Sequence, residues 1–280
     1  MRPSYSILKE IGHGSYSRVF KVSVPQHGLL AMKRVDKHKL GPIQTRFIET
    51  ESLIAKKVEH PHVVKIYDSF QDENYFYILM TYGEGGDFLA YMWEHKIIPE
   101  ERAKKFFRQL VLAVDYTHGL GYIHRDIKFE NILLDKEQEH IWLGDWGFAG
   151  TWKKGQLHTD MVGSLQYAAP EVCTGVQYTG PEIDCWTLGI VLYGMVVGKL
   201  PFAGGDNNPS RTRTKIILGN YTIPKSVSSA CAELIQSLLT GSSSRYNTQD
   251  ILKHRWLRTD LSVYKMVENK ERCKGRRISV

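Results

Sequence analysis

Up to Met80 the apolar positions fall in short runs that alternate with polar ones. Tyr5–Ile11, Arg18–Val24, Leu29–Val35, Val64–Phe70 and Phe76–Met80 are rich in β-branched and aromatic residues, with Gly, Pro and polar turns between them, a pattern that predicts strands. One stretch has a different period. Within Arg46–Val58, Phe47, Leu53, Ile54 and Val58 recur at roughly helical spacing until Pro61 ends the pattern, so a helix is expected there. From Gly85 onward the helical period dominates, in Asp87–His95, Pro99–Leu120, Ile183–Val197, Ser229–Thr240 and Thr248–His254. The change of character at Gly83-Glu84-Gly85-Gly86 marks a boundary between a strand-rich lobe and a helical one, an α+β architecture. There is no internal repeat and no low-complexity segment.

Composition narrows this only modestly. A chain of 280 residues, 42% hydrophobic and 24% charged, can bury one large core or two lobes. The longest apolar run, Leu188 to Gly198, is too short to span a bilayer and reads as a buried helix, so no membrane partner is expected. The opening MRPSYSILKE lacks the apolar core of a signal peptide. Cys173, Cys185, Cys231 and Cys273 are scattered without a CxxC pair, which points to a reducing setting, cytoplasmic or nuclear. The 11 histidines show no ligand-like spacing, and His60-Pro61-His62 places its pair across a proline, so they read as dispersed surface and core residues. The formal charge of +7 is uneven, because residues 258–280 hold seven Lys/Arg against three Asp/Glu. The remaining body is mildly basic, which argues against a nucleic-acid partner. The tail ends Arg276-Arg277-Ile278-Ser279-Val280 and reads as a solvated polar end.

Four stretches carry candidate chemistry. Ile11-Gly12-His13-Gly14-Ser15-Tyr16-Ser17-Arg18-Val19 joins strand to strand, which excludes the dinucleotide-binding fold, where a helix must follow. A Gly hairpin of this kind is either an ordinary turn or a lid whose N–H groups lie over phosphates. Lys33, amid the apolar strand Leu30-Ala31-Met32-Lys33-Arg34-Val35, is a solvated side chain if it stands alone. Glu51 on the following helix changes that reading, since a buried ammonium needs a counter-charge.

Tyr122 to Leu134 packs His124, Arg125, Asp126, Lys128, Glu130 and Asn131 between apolar brackets. That arrangement suits a loop holding Asp126 as proton acceptor, Lys128 as charge stabiliser and Asn131 as an oxygen ligand. In Trp142-Leu143-Gly144-Asp145-Trp146-Gly147, Asp145 is expected at an exposed strand end. A carboxylate and an amide oxygen, with waters and phosphates completing the shell, suit Mg²⁺.

In this order the motifs resemble those of eukaryotic protein kinases over about Tyr5 to Leu257: IGHGSYSRV, LAMK, Glu51, HRDIKFEN, Asp145-Trp146-Gly147 and Ala169-Pro170-Glu171. Asp184-Cys185-Trp186-Thr187-Leu188-Gly189 and Arg245 extend the match. The helical lobe (GGDFLAYM, GSLQYAAPEV, VVGKLPF, DILKHRWL) is most similar to the calcium/calmodulin-dependent group with its energy-sensing and checkpoint relatives.

The resemblance implies a bilobal fold with a small antiparallel β lobe carrying one helix (about 5–80), a hinge (about 81–85) and a larger helical lobe (about 86–257), followed by the basic tail 258–280. It implies ATP beneath Ile11, Gly12, His13, Gly14, Ser15, Tyr16, Ser17, Arg18 and Val19, against Ala31, Met80 and Tyr82. Lys33, held by Glu51, would grip phosphates; Asn131 and Asp145 would hold Mg²⁺; Asp126 and Lys128 would serve the transfer. Arg125, Thr159, Asp160, Ser164 and Glu171 fall in or beside the activation segment. Protein substrates presenting Ser/Thr are implied, and Asp87 and Glu130 match positions that meet basic residues upstream of the target. Regulatory domains of larger relatives are not expected in this chain. Its oligomeric state is left open.

Four departures stand out. Ser17 replaces a glycine, Phe129 a proline and Trp146 a phenylalanine, and Asp160 occupies a position that is phosphorylatable in many relatives. A fixed carboxylate near Arg125 supplies part of a phosphate's charge, so activity without activation-loop phosphorylation is expected. The first three departures are the support for a rival reading, a kinase-shaped scaffold without catalysis. All six catalytic positions being intact favours the enzyme.

Overall fold

The computed structural model describes residues 4–14, 16–41, 45, 48, 51, 54, 57–203 and 208–258. Five strands form one antiparallel sheet: β1 (Ser6–His13), β2 (Ser17–Val24), β3 (Gly28–Asp36), β4 (Ile66–Gln71) and β5 (Tyr75–Thr81), in the order β1-β2-β3-β5-β4. Alternation divides their side chains between two faces. Phe20, Val22, Val24, Leu30, Met32 and Leu79 pack into a small core of their own. Val19 lies opposite Lys33 and Ala31 opposite Met80 on the face toward the cleft. Each strand begins or ends a residue or two from its expected limit, because ladder pairing continues into polar positions that carry no alternation signal.

The helix expected over Arg46–Val58 falls mostly outside the described residues, Phe47 and Leu53 among them. Thr45, Ile48, Glu51 and Ile54 are helical, and Ile48, Glu51 and Ile54 are buried at three-residue steps on one face. Two short extensions then link this lobe to the next. Val63 bridges Leu143, and the Gly83–Gly86 turn runs so close to the strand Ile132–Leu134 that any side chain at Gly85 would collide with the Asp135 carbonyl.

Helices Phe88–His95, Glu100–Gly119, Pro170–Thr174, Pro181–Val197, Pro209–Leu218, Ser229–Leu238 and Thr248–Lys253 build the larger lobe. Asp87 caps the first by accepting the Ala90 N–H at 2.8 Å. The Pro170–Thr174 and Pro209–Leu218 helices lie outside the helical stretches foreseen above. The first is too short for a period to register, and the apolar stripe of the second is thin, with only Thr212 and Ile216 buried. Pro181–Val197 is apolar all round and buried from Ile183 to Val196, the expected signature of a helix through the middle of a lobe. Burying each of its large aliphatic side chains contributes about 1.5–3 kcal/mol. Among the described residues no helix is long and apolar enough to cross a membrane.

Two short strand pairs hold the cleft's floor. β6 (Tyr122–Ile123) pairs with β9 (Gly150–Thr151), and β7 (Ile132–Leu134) pairs with β8 (Ile141–Leu143). Ile132 faces Leu143 in the β7–β8 hairpin, and the Gly144 N–H donates to the Asn131 carbonyl at 2.8 Å. Asn131 and Asp145 are thereby brought together at the open end of one hairpin.

Candidate active site

Between the sheet and the helical lobe lies a cleft of about 780 Å³. Ile11, Gly12, His13, Gly14, Ser17 and Val19 roof it, Ala31, Met80 and Tyr82 form its back, and Lys33, Glu51, Asn131 and Asp145 line its polar end. Within β2, alternation sets Ser17 and Val19 toward the cleft and Arg18 away from it. Tyr16 and Arg18 are absent from this lining and face a groove on the outer side of the sheet instead. Ser15 lies outside the described residues. The Gly14 N–H donates to the Ser17 carbonyl at 2.8 Å, so the position where a third glycine is usual closes the turn through its backbone.

The Lys33 ammonium donates to both Glu51 oxygens, at 2.8 and 3.0 Å, and to Asp145 Oδ1 at 3.3 Å. Burial pulls the ammonium down, but the Glu51 and Asp145 carboxylates outweigh it and hold Lys33 above the ordinary lysine value. Burial pushes the Glu51 carboxyl up while Lys33 draws it back. These directions oppose each other across one pair, and the two short contacts to a single ammonium favour the ionised form. Lys33 also holds the Asp145 carboxyl below the usual carboxylate range. Asp145 takes a left-handed backbone, φ 57°, and its side chain is 46% exposed toward the cleft.

Asp126 is buried and both its oxygens are engaged. Oδ2 accepts from Lys128 Nζ at 2.6 Å and from Asn131 Nδ2 at 3.2 Å. Oδ1 accepts the Ser164 N–H at 3.1 Å and its hydroxyl at 3.2 Å, and Lys128 Nζ also reaches Ser164 Oγ at 3.1 Å. Ser164 is therefore a direct partner of Asp126 and Lys128. Asn131 donates through Nδ2, with a second bond to the Asp126 carbonyl at 2.8 Å, which leaves its Oδ1 as an acceptor. A free amide oxygen beside an exposed carboxylate is a donor set that fits a hard divalent cation.

The loop holding Asp126 is anchored from below. Asp184, fully buried on the Pro181–Val197 helix, accepts the His124 and Arg125 backbone N–H groups, each at 2.8 Å, and His118 Nε2 at 2.8 Å. Burial opposes its charge, yet these donors hold the carboxyl below its ordinary value. The family motif contained Asp184, but its role was not foreseen. The available signal was an acid opening an otherwise apolar helix.

Arg125 reaches the segment that follows Asp145 with three bonds: Nε to the Phe148 carbonyl at 2.7 Å, Nη2 to the Ala149 carbonyl at 3.3 Å and Nη1 to Asp160 Oδ2 at 2.9 Å. Thr159 beside it is exposed. Tyr178 donates its hydroxyl to the Asp160 carbonyl at 2.8 Å, fixing the same turn. Farther out, Arg245 grips Glu171 with contacts of 2.6 and 3.2 Å and stacks over Trp186 at 5.0 Å. Asp87 and Glu130 both reach the main cleft, and Glu130 also borders a groove of about 390 Å³ with Ser164, Tyr167 and Thr212.

The aromatic departures fit locally. Trp146 is buried against His124, ring centroids 4.6 Å apart, in the same core as Ile54 and Val58 of the Glu51 side. Its Nε1 has no hydrogen-bond partner among the described residues. Phe129 stacks on Phe88 at 5.5 Å and meets Tyr167 edge-on at 6.4 Å.

Against known families, the protein kinase domain matches residues 5–257. The chain belongs to the protein kinase domain family. A probable serine/threonine-protein kinase KIN1 homolog of Enterocytozoon bieneusi is 34% identical over 95% of this chain and 44% of its own length. SNF-related serine/threonine-protein kinases of Rattus norvegicus and Mus musculus are each 34% identical over 90% of the chain and 34% of their own length. This kinase-domain chain thus spans less than half of each of these curated relatives.

Proposed function

We propose that the chain is a serine/threonine-protein kinase that transfers the γ-phosphoryl group of ATP to Ser or Thr hydroxyls of proteins. The observation that carries this reading is the convergence of Lys33, Asn131, Asp145, Asp126 and Lys128 on one cleft, with a glycine hairpin over it. The names of the curated relatives support the same class. On this reading the domain comprises the sheet lobe (about 5–80), a hinge (about 81–85) and the helical lobe (about 86–257), with the basic segment 258–280 beyond it. Three buried free thiols, Cys173, Cys185 and Cys231, suit a reducing cytoplasm or nucleus.

The geometry supports a part for each residue. Lys33, oriented by Glu51, binds phosphate oxygens of ATP. Asn131 Oδ1 and the Asp145 carboxylate would hold Mg²⁺, which when bound screens the phosphate charge. Asp126 orients the substrate hydroxyl and accepts its proton, exchanging the Ser164 hydroxyl for that of the substrate. Lys128, 2.6 Å from Asp126, sets its positive charge beside the group in transfer. Catalysis is then mainly positioning and electrostatics.

Asp87 and Glu130 place negative charge along the substrate side, which supports a preference for Arg or Lys upstream of the target. Asp160 on Arg125 supports an activation segment held without phosphorylation. A Ser/Thr peptide array incubated with the chain and Mg·ATP tests the specificity. Phosphorylation concentrated on peptides with upstream basic residues is expected. Equal labelling of acidic and basic peptides would remove the basophilic part, and no labelling with intact nucleotide binding would favour a scaffold.

A further inference from the structure

On the outer face of the sheet, behind the glycine hairpin and sharing Glu10, His13, Gly14 and Ser17 with the lining of the ATP cleft, lies a polar groove of about 520 Å³. Arg18, Arg34, Lys39, His13, Glu10 and Tyr75 are among the residues lining it. Its origin is a like-charged cross-strand pair. Arg18 of β2 stands directly opposite Arg34 of β3, so two guanidinium groups share one face at neighbouring positions. Like charges in this relation destabilise a sheet unless something negative lies between them.

The acids nearby do not resolve the conflict at Arg34. Glu10 pairs with Arg18 at 3.3 Å, across the β1–β2 ladder, with side chains 37% and 62% exposed. The Asp36 carboxylate accepts the His38 N–H at 3.0 Å and caps the turn at Lys37–Lys39. Arg34 has no acid and no hydrogen-bond acceptor among the described residues. Its guanidinium instead lies 4.7 Å over the Phe20 ring and 4.9 Å over Tyr75. Two rings fix the plane of the fork and leave its N–H edges uncommitted, which suits bidentate recognition of an oxyanion. Lys39 is exposed and lines the same groove.

We propose that this groove binds a phosphate monoester, with two oxygens on the Arg34 fork and Arg18 and Lys39 flanking it. A three-oxygen dianion matches the two arginines better than a carboxylate does, because it accepts from both forks at once. Backbone bonds from Asp36 N–H to the Tyr16 carbonyl and from Gly14 N–H to the Ser17 carbonyl, 2.9 and 2.8 Å, form the wall on the glycine-hairpin side. An occupied groove therefore lies directly behind the roof of the cleft.

The test is calorimetric titration of the full chain, kept saturated with a non-hydrolysable ATP analogue so that the cleft cannot take the phosphate. The probes are inorganic phosphate, a phosphoserine peptide and its unphosphorylated counterpart. Binding of the peptide only when phosphorylated is expected, weakened about tenfold in Arg34→Gln through loss of the charged hydrogen bonds and less in Lys39→Ala. Basal peptide phosphorylation should be unchanged in both variants, which shows that they fold. Equal affinity of phosphate and phosphopeptide would support the site for a small anion; tighter phosphopeptide binding would support it for a modified protein segment. No binding by either probe, or native affinity in both Arg34→Gln and Lys39→Ala, would overturn the proposal.

Discussion

Gly194 leaves the space that Phe129 fills: a Cβ on Gly194 would lie 2.7 Å from the tip of the Phe129 ring. The ring is thereby sandwiched between the Pro181–Val197 helix and Phe88, beside the Lys128 and Asn131 that it separates in sequence. The replacement of the usual proline is accommodated by an absent side chain elsewhere, so it carries no argument for a dead enzyme.

Gly194→Ala should therefore overpack this point and cost about 1–3 kcal/mol of stability. Thermal unfolding checks it. Pairing it with Phe129→Leu should recover much of the loss, since the two positions share one volume. Additive losses in the double variant would argue against the packing account.

The Arg125–Asp160 pair predicts how the segment around Asp160 is held. Arg125 is nearly buried while Asp160 is 59% exposed, so the contact is strong in geometry but screened by solvent. Asp160→Asn should lower peptide phosphorylation by on the order of two- to fivefold. Phosphatase treatment of the native chain should leave its rate unchanged. A large loss on that treatment, restored only by phosphorylating Thr159, would show that the carboxylate does not serve in place of a phosphate.

A cluster of histidines makes stability depend on pH. His60 and His62 lie 5.5 Å apart, His62 and His140 4.5 Å, and Tyr116 stacks on His60 at 5.0 Å. Burial, then the charges of His140 and His60, push His62 down to about 4 against the opposing Ile141 carbonyl. Burial also lowers His60. The nearby Lys65–Glu59 pair, at 3.4 Å, is internally balanced. Because the folded value lies below the unfolded one, the unfolded chain takes up the proton first as pH falls. Stability is thus full above the ordinary histidine value near 6.5 and declines as pH falls toward about 4. The loss should be about 2 kcal/mol, less than the full shift because the ring is partly exposed. Melting curves at pH 7.5 and 5 should separate for the native chain and draw together in His62→Gln. Parallel curves would refute it.

Trp146→Phe should retain activity and change stability by under about 1.5 kcal/mol. The indole N–H finds no partner among the described residues, so removing it strands nothing. An inactive Trp146→Phe chain would mean that the indole itself shapes the cleft.

Much of this was legible because the relevant signals are local. Asp126, Lys128 and Asn131 lie within one turn of chain, and strand alternation announced β2, β3 and β5. Alternation along β2 also turns Arg18 away from the cleft, whereas Tyr16 sits in the bend before the strand, where no period applies. The anchoring by Asp184 was not legible, because it depends on a helix far along the chain meeting the backbone of His124 and Arg125. The histidines read as dispersed for the same reason: the β7–β8 hairpin carries His140 to His62, and no spacing encodes that approach. Phe129 departs from the family's usual proline, and the space for its ring comes from Gly194, which is distant in sequence.

The central claim is that Asp126 accepts the substrate proton in a cleft that binds ATP independently of it. The direct measurement is labelled phosphate transfer to a Ser/Thr peptide, with titration of an ATP analogue, in the native chain and in Asp126→Asn. Transfer should fall by about 10²–10⁴-fold in the variant while nucleotide affinity is kept. Transfer at the native rate in Asp126→Asn, or none in a native chain that still binds the nucleotide, would contradict the account.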